Sequence, residues 1–178
     1  MRKTIVSTAL LLTALSASSV AQTCKYDSIK ATAPAERFIT QEDGTILDAN
    51  TGLEWMACIY GMSYENGTCV GTARDMGSWS EALMLRDEVN GEEVAGYTDW
   101  RLPNVKELAS IVEYACFGPA IDLSVFPETP SAPFWTNTPD ADEINSGEIR
   151  ARIIDFTYGT EDFTSTGERT YVRFVRTP

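Results

Sequence analysis

Residues 99–108 read Asp99-Trp100-Arg101-Leu102-Pro103-Asn104-Val105-Lys106-Glu107-Leu108. An Asn followed three positions later by a Glu, as at Asn104 and Glu107, is the pattern of a helix capping box. Pro103 favours extended backbone at the residue before it, so we expect the helix to begin at Val105. It is predicted to run to about Ala115, because apolar residues continue at helical spacing at Val105, Leu108, Ala109, Ile111 and Val112.

Arg101 lies between apolar neighbours in this stretch. A guanidinium in an apolar setting needs a carboxylate or a carbonyl oxygen as its partner. We therefore predict that Arg101 forms a structural ion pair. The alternative is a side chain that faces a ligand.

An earlier helix is predicted over residues 79–89. Ser78 is a favourable N-cap, and Glu81 follows it three positions later. The Asn90-Gly91 pair is typical of a helix end. The residues that recur at helical spacing are Trp79, Ala82, Leu83, Arg86 and Val89.

The remaining pattern is typical of β-strands and turns. Turn sequences at Asp43-Gly44 and Asn50-Thr51-Gly52 separate three predicted strands near the N-terminus, at residues 38–40, 45–47 and 53–58. Three later strands are predicted at residues 134–136, 149–156 and 171–175, with a turn region from Gly159 to Gly167. Frequent prolines predict a long irregular loop over residues 117–147. Strands, two helices and a long loop together indicate an α+β domain in which the helices pack on antiparallel sheets.

The N-terminal 21 residues are typical of a secretory signal peptide. Arg2 and Lys3 form a positive segment, an apolar segment covers residues 5–15, and Ser19-Val20-Ala21 supplies small residues before the cleavage point. Elsewhere the sequence has no apolar run of the length that spans a bilayer. We therefore expect a secreted, periplasmic or cell-surface protein without stable membrane insertion.

Charge excludes several classes of function. The chain has 14 Lys and Arg against 26 Asp and Glu; without Arg2 and Lys3, the balance is 12 against 26, a net charge near −14. Such a protein repels nucleic acids and anionic membranes. The sequence has no histidine, which excludes Ser-His and Cys-His nucleophile pairs and His-ligated zinc.

The four cysteines are expected to form two disulfides, because an even number in an exported protein is typical of disulfide bonding. We predict Cys58–Cys69, since the turn-rich segment between them can close as a small Ω-like loop, and Cys24–Cys116. The second bond would tie an N-terminal arm, residues 22–36, to a domain formed by residues 37–178. The alternative, a four-thiolate zinc site, lacks any Cys-x-x-Cys pair.

Several spaced motifs resemble the Lcl C-terminal domain family over about residues 37–177. They are Asp48-x-x-Thr51-Gly52-Leu53-x-Trp55, Trp79-x-x-Ala82, the stretch from Asp99 to Leu108, Phe134-Trp135-Thr136 and Val172-Arg173-Phe174-Val175-Arg176. The resemblance implies a C-type-lectin-like fold related to sulfatase-modifying-factor domains. The family is named for a collagen-like bacterial adhesin that binds sulfated polysaccharide. This chain lacks a collagen-like stalk, and its acidity disfavours sulfated glycans.

The residues of these motifs are expected to be structural. They are Trp55, Trp79, Trp100, Arg101, Leu102, Pro103 and Glu107.

A binding face is predicted on the long loop and the late strands, where a C-type-lectin-like fold places its recognition surface. The candidate ligand-binding residues are Trp135, Asn137, Tyr158 and Tyr171. Flat aromatic rings stack on sugar faces and anchor protein partners. The alternative for each ring is packing in the core.

Oxygen-bearing side chains are dense just after Pro139, and these candidate calcium ligands are Asp140, Asp142, Glu143 and Asn145. The alternative is a solvated acidic loop. No other cofactor is expected.

These observations favour a secreted, non-catalytic recognition or adhesion module that binds a glycan or a surface protein at the bacterial outer surface. One alternative is a structural subunit of a surface or pilus assembly. Another is a carboxylate-based hydrolase, since a pair of carboxylates suffices for glycoside hydrolysis.

Overall fold

The computed structural model describes residues 21–140, 150–165 and 169–178 and has the mixed α+β architecture that the sequence predicts. Two helices are present in this part of the chain, α1 (Trp79–Gly91) and α2 (Val105–Ala109). The strands, in chain order, are β1 (Thr23–Cys24), β2 (Phe38–Thr40), β3 (Thr45–Asp48), β4 (Glu54–Met56), β5 (Met62–Glu65), β6 (Thr68–Gly71), β7 (Cys116–Phe117), β8 (Pro133–Pro139), β9 (Ala151–Asp155), β10 (Thr160–Thr164) and β11 (Val175–Arg176).

The predicted N-terminal meander forms most of a four-stranded antiparallel sheet in the order β11-β4-β3-β2. Asp48 organises the turn between β3 and β4, because its carboxylate accepts hydrogen bonds from the Asn50 backbone at 3.0 Å and the Thr51 hydroxyl at 2.6 Å. Arg37 also pairs with this carboxylate, through its Nε at 2.6 Å. Gly52 completes the turn with a φ of +71°, a conformation that favours glycine.

A second antiparallel sheet has the order β10-β9-β8. The prediction of a turn region from Gly159 to Gly167 is wrong in part, because β10 occupies Thr160–Thr164 and pairs with β9. Its first four residues are exposed, so this edge strand lacks the alternation of apolar residues that marks a strand in sequence. The predicted strand over residues 171–175 is also shorter: β11 covers only Val175–Arg176, while Tyr171 forms an isolated bridge with Phe134.

Both helices begin where their caps predict. The Ser78 hydroxyl accepts from the Glu81 backbone at 3.3 Å, and a complete capping box links Asn104 and Glu107. Helix α1 ends two residues beyond the predicted position, at Gly91, whereas α2 ends at Ala109 instead of about Ala115. The later apolar residues of the second segment remain buried in turns, so they contribute to the core without extending the helix.

Arg101 forms the predicted ion pair. Its two terminal nitrogens lie 2.7 and 2.8 Å from the two carboxylate oxygens of Glu107. One of those oxygens also accepts from the Asn104 backbone at 2.7 Å. The pair therefore stabilises the start of α2.

The other motif residues that were expected to be structural are buried or half-buried. Trp55, Trp100, Leu102 and Pro103 are buried, and the indole of the half-buried Trp79 donates to the Thr136 carbonyl at 2.8 Å.

Two hydrophobic cores lie on opposite sides of the strands, because successive side chains of a strand point to opposite faces. One core contains Trp55, Phe134, Ile154 and Val175, and the other contains Trp135, Ile153 and Phe174, with Met56 packed against it. Neighbours in sequence thus enter different cores. Both faces of the central strands are covered.

The disulfides are Cys24–Cys116 and Cys58–Cys69, as predicted. The segment inside the shorter bond is a β-hairpin of β5 and β6 and not the Ω-like loop that we expected. Its turn is Asn66-Gly67, with positive φ at both positions, a geometry that selects this dipeptide.

The N-terminal arm is held by more than its disulfide. Strand β1 pairs with β7, and the fully buried Glu113 carboxylate accepts from the backbone of Thr32 at 3.0 Å and of Ala33 at 2.9 Å. A buried carboxylate needs such donors to offset its lost hydration. The arm is therefore part of the folded body.

Arg173 connects three distant segments at the centre of the molecule. This fully buried side chain donates to the carbonyls of Met56 and Ala57 and to the Thr129 hydroxyl at 2.7 Å, and it lies over the Phe126 ring. Burial lowers the pKa of the Arg173 guanidinium to about 9. Its two terminal nitrogens donate to neutral oxygens, whereas its buried Nε has no hydrogen-bond partner among the described residues.

Candidate functional site: an exposed aromatic cluster

Four exposed aromatic side chains lie on the segments that meet around the Cys24–Cys116 disulfide. We call them the aromatic cluster: Tyr26 (52% exposed), Tyr114 (52%), Phe117 (40%) and Tyr158 (66%). Single exposed rings are ordinary on a protein surface, whereas a group of them is a candidate contact surface.

Phe117 and Tyr158 form the centre of the cluster. Their ring centroids are 6.5 Å apart and their planes differ by 27°, so the two rings are stacked. The backbone also joins their segments, since the amide of Gly118 donates to the Thr157 carbonyl at 3.0 Å. The two rings are therefore positioned by paired backbone.

Tyr114 approaches the same segment through Gly159. A Cβ atom placed on Gly159 would lie 2.4 Å from a methyl carbon of Val112 and 3.2 Å from the Tyr114 ring. Gly159 also has a φ of +74°. Only glycine allows this close approach, which brings Tyr114 beside the residue that follows Tyr158.

Tyr26 is placed by the disulfide. Its hydroxyl lies 3.2 Å from the Sγ of Cys116. Burial of this hydroxyl, together with the nearby carboxylates of Asp122 and Glu113, raises the pKa of Tyr26 above its ordinary value. The phenol therefore stays neutral at physiological pH.

The backbone beneath the cluster is held by hydrogen bonds from the arm. The Gln22 amide donates to the carbonyls of Pro119 and Ile121 at 2.7 and 2.6 Å, and the Lys25 backbone donates to the Ala115 carbonyl at 2.7 Å. A rigid platform loses little conformational entropy on binding, which favours affinity.

The four residues predicted to bind a ligand occupy different environments. Trp135 is fully buried, and its indole donates to the Met76 carbonyl at 3.2 Å, so its ring is core in this structure. Tyr171 is half-buried against Phe134. Asn137 is exposed on β8, where its backbone donates to the Pro103 carbonyl. Tyr158 alone of these four belongs to the aromatic cluster.

The candidate calcium ligands are only partly within the described residues. Asp140 is buried, and its carboxylate pairs with Arg150 at 2.9 Å and with Arg152 at 3.3 Å. Two arginines thus occupy the oxygens that a cation would need. Asp142, Glu143 and Asn145 lie outside the described residues, as does the predicted signal peptide up to residue 20. Within the described ranges, no group of three or more Asp, Glu or Cys side chains is arranged to hold a metal ion.

Sequence reasoning missed Tyr26, Tyr114 and Phe117. Tyr114 and Phe117 flank Cys116, so a disulfide neighbourhood rich in aromatic residues was visible in the sequence. Their exposure was not visible, because it depends on how the arm folds against the body.

No helix within the described residues is both long and apolar enough to cross a membrane. In comparison with known proteins, a family model described as the Lcl C-terminal domain matches residues 44–176, which is more than half of the chain. No curated protein and no solved structure matches the chain.

Proposed function

The chain belongs to the Lcl C-terminal domain family, and from this premise we propose that it is a secreted, surface-associated recognition domain that binds a glycan through the aromatic cluster. The observation that carries the proposal is the stacked and exposed pair of Phe117 and Tyr158. Aromatic faces of this kind offer large contact area at low entropic cost. We also propose that the domain has a C-type-lectin-like fold.

The charge of the chain supports an uncharged or basic glycan over a sulfated one. The sequence carries 26 acidic and 14 basic residues, so a polysulfate would be repelled by the protein as a whole. Neutral sugars suffer no such repulsion and can stack on neutral rings. We therefore expect the ligand to be a neutral glycan.

The proposal assigns no catalytic step to the domain. The sequence has no histidine, and all four cysteines are in disulfides. The two disulfides support an oxidising location such as the cell surface or the exterior.

A glycan array probed with the purified protein tests this proposal, followed by calorimetric titration of the strongest neutral glycan. Tyr158→Ala is expected to weaken binding about tenfold or more, since an exposed aromatic anchor carries a large share of binding energy. Tyr158→Phe keeps the ring and is expected to stay within a few-fold of the wild type.

Leu83→Ala is the control, because Leu83 is also an exposed apolar residue, at 39%, but lies on α1. Equal affinity of the wild type and Tyr158→Ala would contradict the proposal. Capture of a protein in a manner that depends on Tyr158, with no array signal, would replace the glycan with a protein partner.

A further inference from the structure

Two adjoining cavities lie along helix α1, and they share no residue with the aromatic cluster. The larger, of about 510 Å³, lies between the β5–β6 hairpin and α1, and the smaller, of about 270 Å³, continues along the helix toward Glu81. We call the two together the hairpin–helix groove. The larger cavity has the size of a typical small-ligand or side-chain pocket.

The two cavities meet at a chain of hydrogen bonds. Arg74 donates to the Tyr60 hydroxyl at 3.2 Å, and that hydroxyl donates to the Glu88 carboxylate at 2.6 Å. Arg74 and Glu88 line both cavities, while Tyr60 lines the larger. The two cavities therefore adjoin at this polar crossing point.

The walls of the larger cavity are apolar and aromatic beside this crossing point. They include the half-buried Met56, Met62 and Tyr64 and the buried Val89. Methionine and tyrosine side chains form adaptable surfaces for aliphatic groups. This wall suits the alkyl part of a ligand.

The charge of the groove is strongly negative. Arg74 is the one basic residue in its lining, and it has no carboxylate within ion-pair distance among the described residues. The acidic residues of the lining are Asp43, Asp75, Glu81, Glu88 and Glu92. Glu88 and Glu92 line the larger cavity together with its apolar wall, and after the effect of burial both carboxylates help to raise the pKa of Tyr60.

We propose that the hairpin–helix groove binds a basic polypeptide segment of a partner protein. The alkyl stem of a lysine or arginine lies against Tyr60 and Met62, and its cation pairs with Glu88 and Glu92. A segment of several residues is long enough to reach both cavities, because they adjoin along a helix of 13 residues. Negative charge on both sides of the crossing point selects a chain with more than one cation.

Isothermal titration calorimetry with the capped peptide acetyl-Lys-Leu-Lys-Leu-Lys-amide tests this proposal. Binding of the peptide, with loss of binding when its lysines are acetylated, is the expected result. Glu88→Gln and Glu92→Gln are each expected to weaken binding about tenfold, which is about 1.4 kcal/mol. Thermal denaturation of each variant checks that it is folded.

Asp87→Asn is the matched control. Asp87 lies on the same helix, carries the same charge and does not line the groove, and we expect this variant to bind within about twofold of the wild type. Tyr158→Ala is also expected to bind the peptide with the affinity of the wild type. Failure of the peptide test can therefore be distinguished from failure of the glycan test.

Three outcomes would overturn the proposal. The first is absence of peptide binding. The second is equal weakening by Asp87→Asn and Glu92→Gln, which would indicate attraction to overall charge only. The third is competition by cadaverine at the same concentration as the peptide, which would indicate a small amine as the ligand.

Discussion

Glu107 both caps the start of α2 and forms an ion pair with Arg101. Its carboxylate accepts from the backbone of Asn104 and from both terminal nitrogens of Arg101. Burial acts to raise the pKa of Glu107, but the hydrogen bonds from Arg101 and Asn104 outweigh it and lower the pKa below its usual value. The pair therefore stabilises the fold at pH values above the usual carboxyl pKa, and this stabilisation is lost as the pH falls through the lowered value.

Arg101→Met is expected to lower stability at pH 7 by about 1 to 2 kcal/mol, since a bidentate and charge-assisted pair is lost. The difference from the wild type should shrink as the pH falls from the usual carboxyl pKa through the lowered pKa of Glu107, because its carboxylate then becomes protonated. Thermal denaturation at pH 7 and pH 3 measures both effects.

Arg86→Met removes an exposed arginine paired with Asp87 and serves as the control, with an expected change below about 0.5 kcal/mol. An Arg101→Met protein that melts like the wild type but no longer binds its glycan would place Arg101 in the binding site.

Strand β8 shows which elements could be predicted from sequence. Its apolar residues at 134 and 135 indicated a strand, but two adjacent aromatic rings also suggested a binding face. The structure buries both rings because β8 has a core on each side. The capped starts of both helices followed from local hydrogen bonding, whereas the end of α2 depends on tertiary packing. The edge strand β10 pairs with its neighbour β9 but lacks an apolar alternation that would mark it in the sequence.

Trp135→Ala is expected to destabilise the domain by about 3 to 5 kcal/mol, the range for removal of a fully buried aromatic side chain. Chemical denaturation with urea measures the loss. Tyr158→Ala is the comparison, and its exposed ring should leave the midpoint nearly unchanged. A Trp135→Ala protein as stable as the wild type would show that this ring is not part of the core.

At the scale of the whole molecule, the candidate site depends on contacts that no local pattern contains. The aromatic cluster is assembled from the arm, the segment around Cys116 and the segment after β9. The cysteine pairing was predictable from the even number of cysteines after an expected signal peptide and from the turn-rich segment between Cys58 and Cys69. The exposure of each ring was not, because it depends on which neighbour covers it.

Arg173 holds together β4, the long loop and the C-terminal segment, so its loss should affect the whole fold. Arg173→Met leaves two backbone carbonyls and the Thr129 hydroxyl without their donor, at a cost of about 3 kcal/mol or more. For a domain of this size, the melting temperature should fall by about 10 °C.

Arg173→Lys should recover only part of this loss, because a single ammonium group cannot reach acceptors on both sides of a planar guanidinium. Differential scanning calorimetry of both variants measures the effect. Equal stability of Arg173→Met and the wild type would contradict this role.

The disulfide between Cys24 and Cys116 has a mechanical consequence. It joins residues 92 positions apart, so tension applied between the two ends of the chain passes directly from one cysteine to the other. The segment between them would be roughly 300 Å long if fully extended. While the disulfide is intact, pulling on the chain cannot extend this segment. Both helices and the hairpin–helix groove lie within this segment, outside the path that carries the load.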